Sequence, residues 1–175
     1  MVKFSIVERN QALPDLPRNE QIFRRVNQVM RQRYAYRPLE TAADKLAAVQ
    51  AILPDAMSVL EQLESLAAPA TKTEIAKHLA LLVKSFPNAG NADGEVYGRM
   101  LIEDVATDLP AIGDIEDACR QIRKTSRFLP TIAEVIEAIG KAKSRRCAHT
   151  DRITELIESK EELEREIKRE RRVGG

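Results

Sequence analysis

TKTEIAKHLALLVKSFP, residues 71–87, contains a whole helix with both of its ends written in. Thr71 and Glu74 make the capping-box pattern: hydroxyl and carboxylate each satisfy a backbone N–H that a helix start leaves without a partner. Ile75, Leu79, Leu82 and Phe86 then recur at the spacing of one helix face, and Pro87 stops the run. The same grammar returns at Thr131-Ile-Ala-Glu134, followed by Ile132, Val135, Ile136 and Ile139 as the apolar side. Between them the spacing predicts a helix from about Asp93 to Leu109, closed by Pro110, with Val96, Met100 and Val105 inward. Another begins near Asp114 with Ile115, Ala118, Cys119 and Ile122 inward. Four amphipathic helices on short connections enclose a single core, so residues 71–140 read as a four-helix unit.

Upstream, residues 18–67 read as a helical N-terminal region. Ile22, Phe23, Val26, Val29, Met30 and Tyr34 fall on one side of a helix that Arg37-Pro38 ends. Residues 40–67 carry Leu46, Val49, Ile52, Leu53, Val59, Leu60, Leu63 and Leu66, and Pro54 is expected to split or kink them. AAPAT, residues 67–71, marks the boundary. Residues 1–17 read as an arm: Val2, Phe4 and Ile6 alternate as a strand would, but no second strand candidate pairs with them, and Pro14 and Pro17 follow.

Downstream, a boundary is expected between Gly140 and Thr150. Glycine weakens a helix by up to about 1 kcal/mol relative to alanine, and Thr150 or Asp151 can cap a new start. Residues 141–175 then form a basic hinge, KAKSRR, and a charged C-terminal helix. Within it Ile153, Leu156, Leu163 and Ile167 make the seam of a short coiled coil, flanked by opposite charges at i,i+3 and i,i+4. The seam serves a partner, a second copy of the chain, or nothing if the helix is an inert extension. The expected fold is all-α: a small helical bundle with a helical N-terminal region and a projecting charged C-terminal helix.

Composition narrows the class. Aromatics are 4% of 175 residues and tryptophan is absent, so an aliphatic core is required. No apolar run approaches the roughly 18 residues of a membrane span, MVKFSIVERN has no signal-peptide pattern, and two cysteines fit a reducing compartment. A cytoplasmic protein that touches no membrane is the expectation. Charge is segregated: residues 1–37 hold eight basic against three acidic side chains, 38–140 nine against sixteen, and 141–175 eleven against eight. Basic ends around an acidic middle pair internally or face different partners.

Little in the sequence suggests catalysis. Two histidines and two cysteines do not make a metal site, and Cys147-Ala-His149 offers at most two ligands. The loop from Ala89 to Gly94 lacks the oxygens of a calcium loop, because the first and last ligand positions fall on Ala89 and Met100. No phosphate-cradling glycine motif occurs. Adjacent acids such as Glu103-Asp104 and Glu116-Asp117 diverge on a helix and read as exposed faces. No cofactor and no enzymatic activity are expected. The remaining surface is a stripe of Arg24, Arg25 and Arg31 interleaved with Gln28 and Gln32, suited to nucleic-acid phosphates or, more plainly, to water.

Residues 71–140 also carry a resemblance. It lies in Leu79 to Phe86 with Pro87, Tyr97 to Leu109 with Pro110, Ile115–Ala118–Cys119, and Arg127-Phe-Leu-Pro-Thr-Ile-Ala-Glu134-Val-Ile. This stretch resembles the helical domain of phage-type replicative helicase loader and inhibitor proteins. The resemblance implies an all-helical, non-catalytic adaptor in DNA replication, prophage-encoded, whose C-terminal region engages a replicative helicase. The helical segment 18–67 and the highly charged helical tail depart from that family. Direct DNA binding through Arg24, Arg25 and Arg31, and a homo-oligomer held by the tail seam, are the other two readings.

Overall fold

The structure is a computed structural model that describes residues 16–35, 41–87 and 92–173. It is all-α, with six helices among the described residues: α1 (Arg18–Ala35), α2 (Ala42–Leu66), α3 (Lys72–Lys84), α4 (Ala92–Thr107), α5 (Ile112–Thr125) and α6 (Ile132–Val173). The arm, apart from Leu16 and Pro17, and residues 89–91 of the loop compared with a calcium site lie outside the described residues.

Both capping boxes form. Thr71 N–H donates to Glu74 at 2.8 Å while Glu74 N–H donates to the Thr71 hydroxyl at 3.2 Å. The corresponding distances at Thr131 and Glu134 are 2.7 and 3.3 Å. Thr41 caps α2 through Asp44 N–H at 3.1 Å.

The helices enclose two apolar cores. The first gathers Ile75, Leu79 and Leu82 of α3, Leu101 and Val105 of α4, Ile115, Ala118, Cys119 and Ile122 of α5, and Val135, Ile139 and Ala142 of α6. The second gathers Ile22, Val26, Val29 and Met30 of α1, Val49, Ile52, Val59 and Leu63 of α2, and Ile153 and Leu156 of α6. Burying each large aliphatic side chain stabilises the fold by about 1.5–3 kcal/mol before the entropy of ordering it is counted.

One expectation narrows, since Pro54 does not split its run, and two others change. Residues 42–66 are one helix with Pro54 inside it. Pro54 and Gln50 both lie on the exposed face, so the carbonyl that proline leaves unpaired meets water. The expected boundary between Gly140 and Thr150 is also absent, because α6 runs through it without a break for 42 residues. Thr150 donates its hydroxyl to the Arg146 carbonyl at 3.1 Å, one turn back, and caps nothing. The cost of Gly140 is outweighed by the two cores that the helix serves on either side of it. Finally, α4 turns a different face inward. Leu101 and Val105 are buried, whereas Val96 and Met100 are 57% and 51% exposed. Tyr97, on the inward side, donates its hydroxyl to the Pro130 carbonyl at 2.7 Å and fixes that rotation.

The α2–α3 and α4–α5 connections clamp together. Ala70 N–H donates to Pro110 and Ile112 N–H to Ala68, both at 2.9 Å, around an isolated bridge of Pro69 with Ala111. This brings α5 against the end of α2. A Cβ on Gly113 would stand 2.8 Å from Leu66 Cβ and 2.9 Å from its carbonyl oxygen, so only glycine fits.

Candidate partner-binding groove

Where the cores meet, the sequence supplies charge instead of aliphatic carbon. Asp114 and Asp117 lie one turn apart on the inner face of α5, and are 2% and 3% exposed. Arg146 of α6 grips Asp114 with two parallel bonds, Nε and Nη2 each at 2.8 Å. Arg145 donates Nε and Nη2 to Asp117 at 3.2 and 2.6 Å, and Arg120 bonds its other oxygen. Arg120 also reaches Glu20 of α1 at 3.0 Å, and Asn19 donates to the Gly113 carbonyl at 2.6 Å. Burial works to raise the Asp117 carboxyl, but hydrogen bonds from Arg145 and Arg120 outweigh it and hold the group below its ordinary value. The bond from Asp114 raises Arg146 further, against its own desolvation.

The reading of Glu116-Asp117 as an exposed face is therefore wrong for Asp117. The signal in the sequence was faint: the two acids, three residues apart, lie beside and not within the apolar face of 115, 118 and 122, and only the Arg145-Arg146 pair answers them.

Beside this network a groove of about 510 Å³ opens between the end of α4, the start of α5 and α6. Val105, Pro110 and Ile139 give it apolar walls; Leu109 and Ile136 stand at its margin, 72% and 36% exposed. Leu109 sits in the left-handed region at φ 43°, which costs a non-glycine residue about 1–3 kcal/mol. Gly140 faces open space here, with nothing within 4 Å of an added Cβ. Lys143 and Asp108 are its exposed charges, one of each sign, while Arg146 is neutralised by Asp114, which also lines the groove. Such a groove suits an apolar side chain. It brings no nucleophile to a base.

The anticipated site residues are not brought together. Ile153 and Leu156 are fully buried against α1 and α2, and Leu163 packs partly on the same core. The first half of the seam is thus covered by the chain's own helices, and Leu163 and Ile167 remain partly open. Arg24 is exposed and paired with Glu20 at 3.4 Å. Arg25 is half-buried, with its guanidinium 3.5 Å from the Ser58 hydroxyl, and Arg31 is exposed.

The groups considered for metal chemistry are separated. His78 lies 3.6 Å from Glu116 in the first unit, whereas His149 stacks on Phe23 in the second, ring centroids 4.6 Å apart. Burial pushes the Cys119 thiol up to about 11, which keeps it protonated and inert. Among the described residues no three His, Cys, Asp or Glu side chains cluster as metal ligands, and no helix is long and apolar enough to cross a membrane.

No protein-family model, curated protein or solved structure matches the chain.

Proposed function

We propose that the protein is a non-enzymatic adaptor that binds a replicative helicase, as a loader or inhibitor, and that the α4–α6 groove receives the helicase segment. The observation that carries this reading is the groove's composition. Leu109 and Ile136 are held out to solvent on a clamped loop and a long helix, next to Lys143 and Asp108. Interfaces concentrate their energy in such central apolar pockets flanked by charge. Most of the groove's lining, from Val105 to Gly140, also lies in residues 71–140, whose motifs carry the resemblance to loader and inhibitor proteins. Its occupant would be a helicase segment with an aliphatic or aromatic anchor. The tail seam, expected to be the partner site, is occupied over its first half by α1 and α2, so the reading moves the contact to this groove.

Isothermal titration against the host's replicative helicase tests it. The full chain should bind, and Leu109→Asp with Ile136→Asp should weaken binding by at least roughly tenfold, the effect of losing a hot spot. A full chain with no heat of binding sinks the helicase reading. A double variant that binds as well as the parent sinks the groove.

Nucleic-acid binding through Arg24, Arg25 and Arg31 is the second reading. The exposure of Arg24 and Arg31 favours it, while Glu20 neutralises part of that face. Absence of any DNA band shift at low salt would remove it.

A further inference from the structure

The back of α6 carries a charge pattern that the fold leaves unused. Glu155, Glu158, Glu162, Arg165, Arg169 and Arg172 are all exposed. Their 3-4-3-4-3 spacing puts them in one stripe, within an arc of about 100° on a helix of 3.6 residues per turn. The stripe lies opposite the side on which Ile153 and Leu156 enter the second core. Its acids come first and its bases last, with no alternation.

That order is unfavourable within one helix. Four of the five successive pairs along the stripe carry like charges at i,i+3 or i,i+4, an arrangement that destabilises an isolated helix. Glu158 and Arg172 have no opposite charge three or four residues away. The helix dipole accounts for arginines in the last turn, but not for three glutamates in the middle of a 42-residue helix. Glu155 and Glu162 border a second groove whose far wall holds Arg33 and Lys45. Among the described residues no ion pair within 4.0 Å involves any stripe residue.

An acid-then-base stripe is complementary to itself when reversed. Two copies of α6 laid antiparallel, about an axis between Glu162 and Arg165, set Glu155 against Arg172, Glu158 against Arg169 and Glu162 against Arg165, each twice. A parallel pair would oppose like charges throughout. We infer that the exposed stripe of α6 docks a second copy of this chain antiparallel, in the register that pairs residue 155 with residue 172. Exposed ion pairs are individually weak, so the dimer is weak and salt-sensitive, and the charges set its orientation and register.

Sedimentation of the full chain tests this. At low salt the protein should show concentration-dependent dimerisation, and the dissociation constant should rise by roughly tenfold or more near 0.5 M salt, where charges are screened beyond a few ångströms. The triple variants Glu155→Arg/Glu158→Arg/Glu162→Arg and Arg165→Glu/Arg169→Glu/Arg172→Glu should each be monomeric alone and form a heterodimer when mixed. Combining all six substitutions in one chain restores complementarity and should restore the homodimer, which guards against a misfolded triple variant. A parent chain that stays monomeric at high concentration and low salt overturns the inference. So do triple variants that still self-associate, or that fail to pair when mixed while the sixfold variant also stays monomeric.

Discussion

The two cores close by different means. The first is assembled from helices whose ends are announced locally, by capping boxes at Thr71 and Thr131 and by prolines at 87, 110 and 130. The second is held by partners far apart in the chain: Arg18 bonds Ser65 across 47 residues, and Asn19 reaches Gly113 across 94. Its third helix is borrowed from the first core. A region defined by local punctuation can be read from a sequence window; one defined by distant docking cannot. The charged layer of Asp114, Asp117, Arg145 and Arg146 is what joins the two.

Removing that layer should have the largest effect. Asp117→Ala leaves Arg120 and Arg145 without their shared carboxylate. Breaking a buried pair costs about 3–5 kcal/mol, and the low end applies here because the Arg145 side chain is 44% exposed. Urea titration should show the loss, and hydrogen exchange should show α1 amides released before those of α3. Equal protection of both helices would mean that the cores are coupled by some other contact. Acid should act on the same group. The Asp117 carboxyl is depressed in the fold, so its contribution is present above the ordinary value near 3.8 and is lost as pH falls through the lower folded value.

The glycines sharpen the contrast at a smaller scale. Gly113→Ala drives a methyl group into Leu66 where α2 meets α5 and should cost about 1–3 kcal/mol. Gly140→Ala meets open space in the middle of α6 and should stabilise by about 0.5–1 kcal/mol. Thermal melts of the pair should move in opposite directions. A destabilised Gly140→Ala would show that α6 needs to bend there.

The smallest expected effect concerns the second core alone. Burial first, then Arg152 and Arg145, lower the His149 pKa from its ordinary 6.5. The fold therefore prefers neutral imidazole. That preference contributes fully above pH 6.5 and is lost as pH falls from there toward the folded value. His149→Gln should flatten stability against pH over that window, and an unchanged slope would assign the acid sensitivity to other groups.

How much was legible follows the same division. The all-α fold, both capping boxes and the inward faces of α3 and α5 follow from spacing alone. The inward face of α4 was legible too but misread: Tyr97, Leu101 and Val105 fall within an arc of about 80°, whereas Val96 lies opposite Val105 on the same helix, and the Tyr97–Pro130 bond across 33 residues fixes that rotation. The continuity of α6 was hidden. Gly140 and a polar run suggest an end locally, while the packing that overrides them comes from α2 and α5. The seam at 153, 156, 163 and 167 was correctly seen as a surface needing cover. What covers its first half lies more than 85 residues earlier in the chain. The groove was invisible because Leu109 looks like an ordinary helix-terminal leucine until its backbone conformation is known.

Sharing α6 between two cores also makes the spacing along it a timing constraint. Ala142, the last contact in the first core, and Ile153, the first in the second, are separated by eleven residues, about three turns. Both therefore point to the same side of the rod. One residue added between them would swing the second seam by about 100° and slide it 1.5 Å, sending Ile153 and Leu156 toward water while the first core stayed intact. Adding eleven would bring the seam back into phase about 16 Å further along, where neither α1 nor α2 is positioned to meet it. The segment from Lys143 to Arg152, though largely polar, is fixed in length as firmly as any buried leucine is fixed in size.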